Sequence, residues 1–212
     1  MVHRIPLKIC GMRDVENIRQ VASFQPDYLG FIFYPESPRF VGDDFSLPED
    51  LPASIRRVGV FVNETTDNIL SRAKTVGLDC IQLHGSESVE QCNVLRGAGL
   101  TLIKVFSVSY GFDFNVTKPY IPAVDYFLFD TKGKYYGGNA NTFDWEVLKR
   151  YDQETPFFLS GGLSPENVGE VASMEGMNLH AIDVNSGVED TPGLKNIKKI
   201  ETLFTRLPIK TT

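Results

Sequence analysis

Two side chains that can exchange a proton lie at the ends of apolar runs in the sequence. Cys10 follows the apolar residues of the run 7–11, and Asp130 ends the run 126–130. A thiolate is a competent base or nucleophile once nearby positive charge or amide dipoles favour its ionisation. A carboxyl group flanked by bulky apolar residues is a candidate acid, because partial desolvation raises its pKa. The two residues are therefore candidates for acid–base chemistry.

Each of these residues also has a structural interpretation. A free Cys is most often a small, buried core residue, and an Asp after a strand often orders a loop by accepting backbone hydrogen bonds. The strand-end position of Cys10 favours the chemical role, whereas for Asp130 the two interpretations carry equal weight. Cys80, at the start of its run, and Cys92, in a helical segment, are predicted to be inert.

Two glycine-containing turns are candidates for binding an anion. Gly161 and Gly162 stand in "SGGLSPEN", and Ser186 and Gly187 stand in "VNSGVEDTPG". Glycines let backbone N–H groups approach an oxyanion closely, and a helix N-terminus adds positive potential. A glycine that merely permits a tight turn is the alternative. The two turns follow the last two apolar runs of the chain, 156–160 and 181–184, which are predicted below to be the seventh and eighth strands of a barrel. Barrels of this kind often hold a phosphate in the loops after these two strands, so we predict a phosphate site.

Arg39 and His84 are less specific signals. Arg39 stands in "SPRF", in a loop stiffened by two prolines, and an Arg fork pairs with carboxylates in bidentate fashion. On sequence alone a solvated surface Arg is the stronger interpretation. His84 in "QLHG" lacks a second His or acid at metal-ligand spacing, so no zinc site and no other metal site are expected.

Two further charged residues belong to apolar runs. Asp183 in "IDV" is as consistent with a structural partner of a neighbouring loop as with a chemical group. Lys104 in "IKVF" points toward the interior or the rim of the fold. It could form a Schiff base in principle, or pair with Asp130 or Glu87.

The elements that position these residues repeat along the chain. Eight short, nearly continuous apolar runs are predicted to be strands, and they begin about 20 to 30 residues apart. Such runs are typical of parallel strands that are covered by helices on their outer face. The runs are 7–11, 28–33, 57–62, 80–84, 101–107, 126–130, 156–160 and 181–184.

Most intervals between the runs carry an amphipathic segment of helical length. "TTDNILSRAKTVGL" ends at Gly77 as a C′ residue, and "LSPENVGEVASM" offers Ser164 as an N-cap. "SLPEDLPASI" offers at best a short helix, and prolines break "FDFNVTKPYIPAV". Eight strand–helix units predict an α/β fold, a single-domain (βα)8 TIM barrel over residues 1–212 with eight parallel strands and outer helices. A doubly wound sheet, which normally needs only six strands, is the alternative.

Composition and charge exclude several classes of partner. The net charge is −6 and no basic run is present, so neither nucleic acid nor an anionic membrane is expected. No stretch approaches the roughly 18 apolar residues of a membrane span, and the start lacks the apolar core of a signal peptide. Three unpaired cysteines favour reduced thiols and a cytoplasmic location. A monomer is predicted, with a homodimer as the alternative.

The strand ends together resemble one known family, the phosphoribosylanthranilate isomerases. The resemblance covers the whole chain, missing only the fifth strand end, and the combination of "KICG", "FDW" and "DVNSGVE" is specific. The matching segments are "KICGMRDVEN", "LGFIFYPESPRFV", "VGVFVN", "QLHGSE", "LFDTKGKYYGGNANTFDW", "LSGGLSPENV" and "IDVNSGVEDTPGLKN".

The resemblance implies an aldose–ketose isomerase of tryptophan biosynthesis that needs no cofactor. Its phosphorylated small-molecule substrate would be N-(5-phosphoribosyl)anthranilate, converted by an Amadori rearrangement to 1-(2-carboxyphenylamino)-1-deoxyribulose 5-phosphate. Asp130 resembles the general acid, Cys10 the general base, and Arg39 the residue that holds the anthranilate carboxylate. The predicted substrate-binding residues are Arg39, His84, Gly161, Gly162, Asp183, Ser186 and Gly187.

The sequence departs from the family pattern at two places. The family usually has "GGTG" where residues 137–140 are "GGNA", and Asn185 stands where Ser is common. A histidine-pathway isomerase would want an Asp in place of Cys10, and a ribulose-phosphate epimerase would want metal-binding His residues. A phosphate-sensing scaffold without catalysis is the third alternative, which predicts that Cys10→Ala is tolerated.

Overall fold

Parallel strands from eight places in the chain pair in sequence order and close on themselves, so that the last strand pairs with the first. The computed structural model describes residues 3–131 and 145–210. The predicted eight-stranded parallel barrel is confirmed. The strands are β1 Leu7–Ile9, β2 Tyr28–Ile32, β3 Arg56–Phe61, β4 Cys80–Leu83, β5 Thr101–Val108, β6 Tyr126–Thr131, β7 Phe157–Ser160 and β8 Leu179–Val184.

Four α-helices and four 3₁₀-helices accompany the strands in the described ranges. Side-chain caps fix the starts of the α-helices: Asp14, Thr65, Ser88 and Asn196 each accept a hydrogen bond from an amide of the first turn. The α-helices are α1 Val15–Ala22, α2 Thr66–Val76, α3 Val89–Gly97 and α4 Ile197–Arg206. The 3₁₀-helices are Phe114–Ala123, Trp145–Arg150, Val168–Met174 and Ser186–Val188.

The outer layer is irregular at the two segments where the sequence predicts weak helices, and it is less helical than predicted after Ser164. Residues 33–55, between β2 and β3, contain no helix. The segment Phe114–Ala123 is a 3₁₀-helix that contains Pro119 and Pro122, which cannot donate in an α-helical ladder. The predicted helix capped by Ser164 is replaced by turns followed by Val168–Met174, with Gly169 inside the segment.

Two short antiparallel pairs complete the described structure. His3–Arg4 pairs with Ile209–Lys210, and Glu189–Thr191 pairs with Leu194–Lys195 just after β8. We call residues 189–195 the β8 hairpin. No helix of the described ranges is both long enough and apolar enough to cross a bilayer.

The barrel interior is filled by alternate residues of the strands. In a strand, residues two apart face the same side. One cluster of buried residues therefore occupies the amino-terminal half of the interior, and the residues two positions further along face the carboxyl-terminal half. The cluster consists of Tyr28, Val58, Cys80, Ile103, Val105, Leu128, Phe158 and Ala181.

Candidate active site

A cavity of about 200 Å³ lies at the carboxyl-terminal ends of the barrel strands. Seven of the nine predicted site residues line this cavity, whereas Arg39 and Gly187 are not among its lining residues. Those seven are Cys10, His84, Asp130, Gly161, Gly162, Asp183 and Ser186. The fold therefore brings seven residues that are predicted separately from the sequence to one cavity. Their roles remain predictions.

Strand alternation explains why the candidate acid faces the cavity. Leu128 belongs to the interior cluster, and Asp130 follows it by two positions on β6. Asp130 is also the register partner of Ser160 on β7, and both residues line the cavity. The carboxyl group is therefore carried by a strand paired on both sides, which places it more rigidly than a loop would.

The candidate base lies next to a buried ion pair. Lys8 on β1 is the register partner of Asp183 on β8, and Lys8 Nζ donates to Asp183 Oδ1 at 2.9 Å. Both side chains are buried, with 0% and 5% of their surface exposed. Cys10 follows Lys8 by two residues and donates its backbone N–H to the carbonyl of Val184 at 2.9 Å.

Burial raises the pKa of the Cys10 thiol above its ordinary value, and the charges of the ion pair act on it in opposite directions. The ammonium of Lys8 lowers the pKa of Cys10, whereas the carboxylate of Asp183 raises it. Burial also raises the pKa of Cys80 and Cys92, each to about 11. Burial therefore raises the pKa of all three thiols, and for Cys10 the nearby charges include those of Lys8 and Asp183.

Glycine on the neighbouring strand makes room for the thiol. A Cβ atom added to Gly30 on β2 would lie 2.7 Å from Cys10 Sγ and 3.2 Å from the Cε atom of Lys8. The first distance is shorter than real Cβ contacts, so the thiol would have to shift, and the second is tighter than most such contacts. Gly30 therefore determines how closely the first two strands and the thiol can pack.

His84 faces the candidate acid across the cavity. His84 Nε2 lies 4.0 Å from Asp130 Oδ2, and His84 Nδ1 lies 3.1 Å from the amide nitrogen of Gln82. Gln82 is buried and lines the cavity. Its Oε1 is buried and has no hydrogen-bond partner in the described part of the chain.

The loop that carries His84 is fixed by a second buried ion pair. Lys104 Nζ donates to Glu87 Oε2 at 2.9 Å, and the same carboxylate accepts the amides of Asn63 and Gly85. Of the partners predicted for Lys104, the structure pairs it with Glu87. The ammonium is saturated by that carboxylate and by carbonyls, so this lysine stabilises the loop.

The two glycine turns lie against each other at the cavity edge. Gly161 and Gly162 both have positive φ, of 105° and 65°, which favours glycine. The side chain of Asn167 donates to the carbonyl of Gly162 and accepts the amide of Ser164, each at 2.9 Å. A side chain at Gly187 would collide with the carbonyl of Leu163.

The orientation of one peptide follows from the Asn167 contact. In a trans peptide the C=O and N–H groups point in opposite directions, and the described residues contain no cis bond. Because the carbonyl of Gly162 points to Asn167, the N–H of Leu163 points away from it. Leu163 lines the cavity, so this amide is a candidate donor to an anion there.

Arg39 reaches the site beside Cys10. A Cβ atom added to Gly11 would lie 2.7 Å from Arg39 Cδ, so the arginine stem crosses the backbone directly after the thiol. The guanidinium binds Glu189 in bidentate fashion, with Nε and Nη2 donating to its two carboxylate oxygens at 2.9 and 2.6 Å. In the sequence Arg39 is a weak signal, and nothing near it predicts this partner.

Four other residues in or around the site are not predicted from the sequence. Asn167 and Glu189 stand in the motifs "LSPENV" and "DVNSGVE", where position in a motif is the only signal. Gln82 offers a clearer signal, as a polar residue inside an apolar run and two residues before His84. Lys195 bonds to Asn185 and Glu189 by its side chain, which no local pattern indicates.

The described residues contain no group of three His, Cys, Asp or Glu side chains arranged to hold a metal ion. The departure at residues 137–140 lies outside the described residues. Asn185, the other departure, lines the cavity and accepts a hydrogen bond from Lys195 at 2.8 Å.

Comparison with known proteins agrees with this geometry. The sequence profile of the family described as "PRAI: N-(5'phosphoribosyl)anthranilate (PRA) isomerase" matches residues 7–206. The N-(5'-phosphoribosyl)anthranilate isomerase of Phocaeicola vulgatus is 45% identical over 204 residues, which cover 96% of this chain and 98% of that protein.

Solved structures of the same kind superpose on the chain. The phosphoribosyl anthranilate isomerase of Thermotoga maritima matches with a TM-score of 0.81 and 36% identity, covering 95% of this chain and 98% of that one. Another such isomerase, solved in complex with reduced 1-(o-carboxyphenylamino)-1-deoxyribulose 5-phosphate, matches with a TM-score of 0.79 and 33% identity, covering 95% and 97%. The resemblance found in the motifs is confirmed: the chain belongs to the phosphoribosylanthranilate isomerase family.

Proposed function

We propose that the chain converts N-(5-phosphoribosyl)anthranilate to 1-(2-carboxyphenylamino)-1-deoxyribulose 5-phosphate, an aldose–ketose isomerisation of tryptophan biosynthesis. The observation that carries the proposal is that Cys10 and Asp130, from β1 and β6, line the same cavity. This reaction needs an acid and a base at one bound sugar. Membership of the family supports the same conclusion.

Charged ends of the substrate have matching groups in the site. The phosphate is held by backbone amides of the turns at Gly161 and Gly162 and at Ser186 and Gly187. Arg39 binds the anthranilate carboxylate with the guanidinium N–H groups that Glu189 does not use. With both ends held, the ribose lies over the cavity.

The chemistry then proceeds by proton transfers at the ring oxygen, at C2′, at C1′ and at the 2′-hydroxyl. Asp130 protonates the furanose ring oxygen as its bond to C1′ breaks, and the nitrogen lone pair forms the C1′=N bond of a Schiff base. Cys10 removes the C2′ proton, and the C–H electron pair forms C1′=C2′ while the nitrogen recovers its lone pair. The enolamine becomes the ketone when C1′ gains a proton and the 2′-hydroxyl loses one, so no oxidant or reductant is needed.

The neighbours of these two groups assist them. His84 faces Asp130 with one ring nitrogen, and the side chain of Gln82 contacts its other ring nitrogen. Asp183 fixes Lys8, whose positive charge favours the thiolate of Cys10. Each correctly placed acid or base contributes typically ~10²–10⁴ in rate, so both are needed for a fast enzyme.

A direct assay tests the proposed function. Purified protein is mixed with enzymatically generated phosphoribosylanthranilate, and the loss of the anthranilate-type fluorescence of the substrate is followed. Turnover without added metal or cofactor is expected. Absence of turnover in protein that is folded by circular dichroism would overturn the proposal, and binding of substrate without turnover would favour the scaffold alternative.

We also propose that the chain is a monomer. The large apolar side chains that are exposed in the described ranges belong to different elements, which supports this state. They are Val15, Val94, Tyr110, Val116 and Leu194. Light scattering during gel filtration would measure a mass near 23.7 kDa for a monomer and twice that for a homodimer.

We propose a cytoplasmic location for the protein. Three cysteines, Cys10, Cys80 and Cys92, are free thiols in the structure. Buried free thiols are typical of reducing compartments. Fractionation of cells that express the chain with an epitope tag would find it with cytoplasmic markers, and recovery with membranes or medium would contradict this.

A further inference from the structure

A cluster of buried charge that also contacts Arg39 lies on the β8 hairpin. Glu189 and Lys195 are 9% and 2% exposed, and the proposed chemistry uses neither of them. Buried charges are costly unless they are paired and hydrogen-bonded. We therefore ask which contacts compensate the burial of these two charges and what those contacts position.

The carboxylate of Glu189 is held from several directions. Lys195 Nζ donates to its Oε1 at 2.7 Å, and the amide of Gly193 donates to the same atom at 3.0 Å. Lys199 Nζ donates to the backbone carbonyl of Glu189 at 2.9 Å. These contacts fix the carboxylate independently of Arg39.

The hairpin is itself anchored to helix α1. The side-chain amide of Asn17 accepts the backbone N–H of Lys195 at 2.7 Å and donates to its carbonyl at 2.9 Å. Asn17 is buried, so this reciprocal pair is shielded from water. A continuous set of hydrogen bonds thus runs from α1 through Lys195 to Glu189.

The last contact of this set of hydrogen bonds joins Glu189 to Arg39. Glu189 occupies the Nε–Nη2 edge of the guanidinium, with donor–acceptor distances of 2.6 to 3.1 Å. A guanidinium has five N–H donors in one plane. The bidentate contact fixes the plane and leaves the Nη1 donors and one Nη2 donor for another acceptor.

We propose that Glu189, fixed by Lys195, is a positioning residue that orients Arg39 for the carboxylate of the substrate. The inference rests on the proposed function, since it assumes that Arg39 binds that carboxylate. A free Arg side chain loses rotamer entropy when it binds, and holding it before the substrate arrives removes part of this cost from binding. The effect should therefore appear in affinity rather than in the chemical step.

The test compares Glu189→Gln with Asp190→Asn, which removes one negative charge from the adjacent, exposed position of the same hairpin. Titration calorimetry measures binding of reduced 1-(o-carboxyphenylamino)-1-deoxyribulose 5-phosphate and, separately, of inorganic phosphate. Glu189→Gln should raise the Kd of the carboxylate-bearing analogue about tenfold or more and leave the Kd of phosphate unchanged. Asp190→Asn should change neither, and KM should rise in Glu189→Gln with little change in kcat.

A mutant cycle isolates the role of Arg39. In an Arg39→Met background, Glu189→Gln should have no further effect on the Kd of the analogue. An equal effect in both backgrounds, or equal weakening of analogue and phosphate, would overturn the proposal.

A measurement without any ligand separates this inference from the proposed function. The Arg39 Nε–H resonance should exchange slowly with water in the wild type and rapidly in Glu189→Gln, with Lys195→Met intermediate. Rapid exchange in the wild type would overturn the positioning role. Slow exchange in a wild type that binds no analogue would instead mean that the proposed function is wrong.

Discussion

Lys8 and Asp183 form an ion pair inside the barrel, with Nζ and Oδ1 2.9 Å apart, and Cys10 lies next to it. Burial alone would lower the pKa of Lys8, but the negative charges of Asp183 and of Cys10 raise it above its ordinary value. Burial raises the pKa of Asp183, and Lys8 opposes that shift. The thiol is therefore influenced by two neighbouring charges of opposite sign.

The pH dependence of thiol alkylation should reveal this influence. Because the pKa of Cys10 is raised, the rate of its alkylation by iodoacetamide should keep rising through pH 9. Asp183→Asn removes a charge that raises the pKa, so alkylation near pH 8 should become faster. Lys8→Met removes a charge that lowers the pKa, so alkylation should become slower. Peptide mass spectrometry measures each cysteine separately.

Cys80 provides the control for that experiment. It lies at the other end of the interior, and its alkylation should be slow in all variants because it is buried and its pKa is about 11. A plateau for Cys10 below pH 8, or equal rates in Asp183→Asn and Lys8→Met, would contradict the electrostatic account.

Gly30→Ala should impair the enzyme through the position of the thiol. The new Cβ would lie 2.7 Å from Cys10 Sγ and 3.1 Å from its Cα, so β1 and β2 must move apart. Overpacking of this kind costs typically ~1–3 kcal/mol of stability, and kcat should fall by about tenfold or more. Gly97→Ala is the matched control, because nothing lies within 4 Å of its added Cβ. Unchanged kcat in Gly30→Ala would contradict the proposed fit.

Asn167→Ala should weaken phosphate binding indirectly, because Asn167 orients the glycine turn and is not itself a proposed phosphate ligand. The substitution removes the hydrogen bonds to Gly162 and Ser164 that orient the glycine turn. We expect the Kd of inorganic phosphate to rise by about tenfold, as for loss of a well-placed hydrogen bond. Asn178→Ala, which removes a side-chain hydrogen bond of the same length to the carbonyl of Gln153 at the amino end of β8, should leave the Kd unchanged. Equal effects of the two substitutions would contradict the prediction.

Glu189 should contribute to stability in a defined pH range. Burial alone would raise the pKa of Glu189, but hydrogen bonds from Arg39 and Lys195 lower it to about 2. A carboxyl with a lowered pKa in the folded state stabilises the protein above its unfolded pKa, and this contribution is lost as the pH falls towards the folded value. Between pH 5 and 2 the urea unfolding free energy of the wild type should fall by about 2 kcal/mol more than that of Glu189→Gln, with partial solvent screening taken into account. Parallel curves would show that the carboxylate is not specifically stabilised.

The sequence predicts the strands and the inward-facing residues well, because both follow from short-range patterns. Continuous apolar runs fix the eight strands, and a polar residue at the end of such a run, such as Cys10 or Asp130, is brought to the cavity by the closure of the barrel. Local caps are equally predictable: Gly77 ends α2 in the left-handed conformation.

The pairings inside the site are not predictable in this way. Arg39 and Glu189 are 150 residues apart, and Asn17 and Lys195 are 178 apart, so their contacts depend on closure and on the path of a hairpin. The helix predicted after Ser164 fails for a related reason. Asn167 uses its side chain to hold the glycine turn, and a competing side-chain bond of this kind disfavours helix continuation.

The most direct measurement is kcat for Cys10→Ser and Asp130→Asn, each compared with Cys80→Ser. If the Cys10 thiol is the base and the Asp130 carboxyl is the acid, Cys10→Ser and Asp130→Asn each lower kcat by about a hundredfold or more. Cys80→Ser leaves kcat nearly unchanged. The Kd of the reduced product analogue should stay within about threefold of the wild type in all three variants. Near-normal turnover in both Cys10→Ser and Asp130→Asn would contradict the assignment of the acid and the base.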